Sequence, residues 1–227
     1  MLYWNNNEFK SMGVVVEHTP NFSKPKKKIT QYIIPGRNGF LSVDEGTYEP
    51  FALSVECHAK ENADYDNICK WLDGYGVLSF DGNREYTALI NNSISFEKVS
   101  MFKKFIVQFL VNPIGEDKAY TTYTVQNSDS VLEINNTYTD IEPVITIIGS
   151  GDIGVTINNQ SFYLDDADGE YILDCKNKVI THNGNNASGI MSGNFITLKN
   201  GNNEINYTGT ITSFEIAYKR MYLWGGL

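Results

Sequence analysis

Short β-branched and aromatic runs, interrupted about every 8–12 residues by Gly, Asn or Asp, limit what this chain can fold into. From Pro143 onward they read PVITIIG, IGVTIN, QSFYLDD, EYILDCKNKVITHNG, NFITLKNG, NEINYTG and SFEIAYKRMYL. Strands this short, separated by turn residues, predict an antiparallel β-sandwich. The earlier part of the chain follows the same rule. MGVVVEH (12–18) and KKITQYII (27–34) are β-branched runs. GVLSF (76–80) meets Asp81-Gly82-Asn83 and returns as REYTALI, a hairpin pattern. NNSISFEKVS and MFKKFIVQFLV follow, and Pro113 ends the run.

One helix interrupts the strands. In ENADYDNICKWLDGYG, Tyr65, Ile68, Cys69 and Leu72 recur at helical spacing, with Asp64 as N-cap and Gly74 as stop. Trp71 and Cys69 are expected in the core, the usual place for such residues. A polar stretch from about Gly115 to Ser130 separates two halves. The expectation is a mainly β protein of two domains, residues 1–128 with one helix and residues 129–227 as the sandwich. A chain of 227 residues has room for two such cores.

Charge and cysteine usage exclude some functions. A net charge of −9 argues against wrapping nucleic acid, but suits a wall that DNA slides past without sticking. Cys57, Cys69 and Cys175 show no metal-ligand spacing, and their odd number predicts free thiols made in a reducing cytoplasm. MLYWNNNEFK lacks the basic and apolar regions of a secretion signal, and no apolar run approaches the length of a membrane span.

Several segments imitate chemical motifs. Gly149, Gly151 and Gly154 complete a G-x-G-x-x-G, but Val155, Thr156 and Ile157 continue as a strand where a dinucleotide site needs a helix. These glycines are therefore expected at a hairpin turn. DDADGE (165–170) has its Gly one place too early for an EF-hand and reads as an acidic turn between strands. His18, His58 and His182 share no ligand spacing, and ECH (56–58) alternates across one strand. No metal, cofactor or catalytic set is expected, and the protein is not expected to be an enzyme. KPKKK (24–28) reads as a solvated loop or a patch docking on an acidic neighbour.

Two stretches carry more specific information. YIIPGRNGFLSVDEGTYEPFALSVE (32–56), with the helix and hairpin after it, resembles the amino-terminal domain of the Dit family, the distal tail proteins of phages with long non-contractile tails. GIMSGNFITLKNGNNEINYTGTITSFEIAYKRMYL (189–223) is similar to the end of that family's galectin-like carboxyl-terminal domain, although RMYLWGGL departs from its pattern. In LKNGNNEINYTG, Leu198, Ile205 and Tyr207 are expected inward, with Asn200-Gly201 as a hairpin turn.

The resemblance implies a split-barrel-like ring domain followed by a galectin-like sandwich. It also implies a hexameric hub in the virion tail tip, through whose lumen DNA leaves without specific binding. The implied partners are the tail tube protein, a tail-tip protein of the tail-associated lysin type, and tape measure and receptor-binding proteins, with no membrane involved. A closed ring pairs two different patches per subunit. The candidates are Lys26, Lys27, Arg37 and Asn38 on one side, with Asp44 and Glu45 on the other. The alternatives are a carbohydrate-binding module, or the equivalent hub of a contractile tail or phage-derived bacteriocin.

Overall fold

The computed structural model describes residues 1–20 and 24–224. It is mainly β, with one α-helix among the described residues, and it divides into two compact units. The first is Met1–Lys118 together with the chain from Leu223, and the second is Ala119–Tyr222.

In the first unit the strands are β1 (Tyr3–Trp4), β2 (Asn7–Glu8), β3 (Val14–Val16), β4 (Lys27–Tyr32), β5 (Leu41–Tyr48) and β6 (Phe51–Lys60). Helix α1 (Tyr65–Trp71) precedes β7 (Gly74–Ser79), β8 (Arg84–Ile90), β9 (Glu97–Val99), β10 (Phe102–Val111) and β11 (Ile114–Asp117). The main sheet runs β2-β1-β7-β8-β10-β6-β3, with β9 on β10 and β11 on β8. Its spine is the β6–β10 ladder, unbroken from Phe102↔Lys60 to Val111↔Phe51. Alternation along both strands sorts the side chains. Leu53, Val55, Phe105 and Phe109 face the core, while Glu56, His58, Lys104 and Ile106 face outward.

The helix forms where its spacing places it. The Asp64 side chain accepts from the Asn67 N–H at 3.0 Å, capping the first turn. Ile68 and Leu72 are buried, yet Cys69 is exposed, contrary to expectation. Each residue turns the helix by about 100°, so in two turns Cys69 is swung off a buried face centred on Ile68 and Leu72. Trp224, expected in the second domain, is 2% exposed in the core of the first unit, ringed by Phe51, Phe80 and Tyr86. Its backbone N–H donates to the Pro113 carbonyl at 2.7 Å.

The second unit contains β12 (Thr121–Thr124), β13 (Ser130–Ile134), β14 (Val144–Ile157), β15 (Gln160–Asp174), β16 (Val179–His182), β17 (Asn185–Asn186), β18 (Met191–Gly193) and β19 (Gly201–Tyr218). The polar stretch is thus no plain linker: β11 pairs with β8, and β12 with β19. Pairs of the predicted short strands fuse here into the long strands β14, β15 and β19. Each bends at bulges, one between Gly151 and Ile153 and another between Ser150 and Gly154. One end of β19 pairs with β12 and the other with β13, while both halves of β14 and β15 feed one core.

Gly149, Gly151 and Gly154 therefore lie inside a strand rather than at a hairpin tip. Gly151 has φ +74, and a Cβ on Gly149 would run into the Thr210 carbonyl oxygen. The acidic run sits at the matching bend of β15, where Asp166 has φ +49 and Gly169 φ +102. Leu198 and Ile205 are buried and Tyr207 is half-buried. Asn200-Gly201, however, closes no hairpin, because Leu198 bridges to Ile141 while Gly201 opens β19.

Candidate functional site

The candidate site is a β-ribbon. Among the described residues β4 and β5 pair only with each other, forming a two-stranded sheet outside the main sheet of the first unit. Pro35, Gly36 and Gly39 make the reversal predicted for PGRNG, with Gly36 at φ +81 and Gly39 at φ +87. Tyr48 is buried at the root, where the Glu49 N–H donates to the Lys26 carbonyl at 2.8 Å.

The register divides the ribbon into two faces. Thr30↔Val43 and Tyr32↔Leu41 share one face, while Ile29↔Asp44 and Gln31↔Ser42 share the other. The first face is apolar toward the tip, and Ile33, Ile34 and Phe40 continue the apolar surface there. These side chains are exposed to an unusual degree, with Ile33 at 85%, Phe40 at 60% and Tyr32 at 54%. A two-stranded hairpin is marginal in water, and clustered exposed apolar side chains mark an interaction surface.

The charged candidates occupy the same ribbon, and four of them have partners within it. Lys27 Nζ lies 2.6 Å from Asp44 Oδ2, Lys26 Nζ lies 3.2 Å from Glu49 Oε1, and Thr30 Oγ1 donates to Glu45 Oε1 at 2.6 Å. The hydrogen bond from Lys27, with a second from the Gly46 backbone, holds the Asp44 carboxyl below its usual range. Lys26, Lys27, Asp44 and Glu45 thus brace their own ribbon. Arg37 and Asn38 stand at its exposed tip, and Arg37 makes no ion pair among the described residues.

Charge-based reading of the sequence missed the apolar face. The signal was present: YII and FLSV flank the PGRNG turn, so apolar residues fall on both arms of one hairpin. What the sequence cannot reveal is that these side chains stay exposed among the described residues.

No family model matches this chain, and no curated protein matches it in sequence. Among solved structures it is similar to the Dit protein (gp 19.1) of SPP1, described as a paradigm of the hub adsorption apparatus in phages infecting Gram-positive bacteria. The TM-score is 0.78 at 13% identity, covering 98% of each chain. The fold is Dit-like.

Proposed function

We propose that this chain is a structural subunit of a phage tail hub: a hexameric ring in the virion tail tip that joins the tail tube to the tip apparatus. The whole-length likeness to the SPP1 hub protein carries this reading, since it spans both units rather than a common subdomain. The β4–β5 ribbon supports it. Seven large apolar side chains between Ile29 and Val43 are exposed there, a surface suited to burial against a neighbouring copy. A ribbon meeting a different patch on the next copy makes a head-to-tail contact, and a rotation that closes gives a ring.

The role is architectural rather than catalytic. The partners proposed are the tail tube protein, a tail-tip protein of the tail-associated lysin type, and tape measure and receptor-binding proteins. DNA passes the lumen without specific binding, in keeping with the net charge of −9. Electron micrographs of the purified chain test the proposal. Rings with a central opening are expected, and uniformly single particles at every concentration would contradict it.

A further inference from the structure

A second feature of the first unit lies on the outward face of its main sheet. The Glu17 backbone N–H donates to the Glu56 carbonyl at 2.9 Å, extending the β3–β6 ladder past Val16↔Cys57. That register sets two glutamates side by side on neighbouring strands, and like charges so placed repel. His18 closes the group: the ligand atoms of Glu17, His18 and Glu56 all lie within 4.8 Å of one another.

Their surroundings differ. Glu17 is held by Lys104 Nζ at 2.9 Å and by His58 Nδ1 at 3.2 Å. Glu56 and His18 make no side-chain hydrogen bond or ion pair among the described residues. A carboxylate and an imidazole without partners therefore converge on a third donor whose orientation is already fixed. Metal-ligating carboxylates commonly have that kind of outer support, and His58 supplies it here. Lys104 is half-exposed on a flexible stem and can turn toward solvent when a cation takes its place.

We propose that Glu17, His18 and Glu56 form a binding site for a divalent first-row transition metal such as Zn²⁺, with His58 as a positioning residue. Mixed imidazole and carboxylate donors suit zinc, whereas calcium takes oxygen ligands alone. Spacing could not announce this site, because residues 17–18 and 56 meet only through strand register. The proposal is independent of the hub reading.

Isothermal titration of the full chain with Zn²⁺ tests it, in a buffer that does not bind metal. One Zn²⁺ per chain is expected. His18→Ala and Glu56→Gln should each weaken binding by about 10-fold or more, and His58→Ala by about 10–100-fold. All three side chains point away from the core, so circular dichroism of each variant should match the parent. Absence of Zn²⁺ binding at millimolar concentration would overturn the proposal. So would unchanged binding in the His18→Ala/Glu56→Gln double variant, or equal affinity for Ca²⁺.

Discussion

Trp4 and Trp71 exchange hydrogen bonds across the first unit. The Trp4 indole N–H donates to the Trp71 carbonyl at 2.9 Å, and the Trp71 indole N–H returns to the Trp4 carbonyl at 3.1 Å. The pair ties the amino-terminal strand to the end of α1, and Trp4 is fully buried with its ring edge-on to Phe109. Trp71→Phe keeps most of the ring but removes the indole donor to the Trp4 carbonyl, which should cost about 0.5–1.5 kcal/mol. Trp4→Ala should cost about 3–5 kcal/mol through the cavity it opens. Urea unfolding followed by fluorescence checks both values.

Asn203 plays the corresponding part in the second unit. It is fully buried; its Oδ1 accepts from Asn158 Nδ2 at 3.0 Å and from the Lys199 N–H at 2.8 Å. Its Nδ2 faces the carbonyls of Leu132, Lys199 and Gly201. Asn203→Asp removes the donor and turns a charge toward those three carbonyls, so it should destabilise more than Asn203→Ala. Ala itself should cost at least about 1–3 kcal/mol. Equal thermal midpoints for parent and Asp variant would refute this.

A paired glycine experiment tests the bent strands. Gly201 and Gly209 both have φ near +95, but a Cβ at Gly201 meets open space while one at Gly209 meets the Asp152 carbonyl oxygen. Gly201→Ala should therefore cost only the backbone strain of about 1 kcal/mol, and Gly209→Ala clearly more. The readout is the difference between their unfolding midpoints, and a reversed order would show that no close approach exists at the bend.

These bends mark the limit of what the sequence discloses. Helix α1 was legible because its Asp64 cap and apolar spacing are local. The β7–β8 hairpin was legible for the same reason: the Asp81 side chain accepts from the N–H groups of Asn83 and Arg84. Gly149–Gly154 and Asp165–Gly169 look like any other turn, and only the ladder between β14 and β15 makes them bulges within continuous strands. The ion pairs within the ribbon are legible no more readily. Which lysine meets which carboxylate depends on how β4 and β5 pair, and Lys27 on one arm reaches Asp44 on the other.

Acid should loosen the first unit before its core fails. The hydrogen bond from Lys104 holds the Glu17 carboxyl below its usual range, with the charges of Lys104 and His58 adding to it and burial opposing. Asp44 is lowered through Lys27 and the Gly46 backbone. A lowered folded-state value means stability that is present above the ordinary carboxylate range and lost as pH falls through the folded value. Glu17→Gln/Asp44→Asn should show a shallower loss of stability between about pH 5 and 3 than the parent. Parallel pH profiles would contradict the assignment.

Assembly through the β4–β5 ribbon is open to native mass spectrometry of the full chain, with Leu41→Asp/Val43→Asp as the comparison. Both substituted side chains are exposed on the apolar ribbon face, so the fold should survive while the interface does not. A parent species of about six times the 25.6 kDa chain mass is expected, and a variant reduced to single chains. A parent that stays monomeric at all concentrations, or a variant that still forms the hexamer, would contradict it.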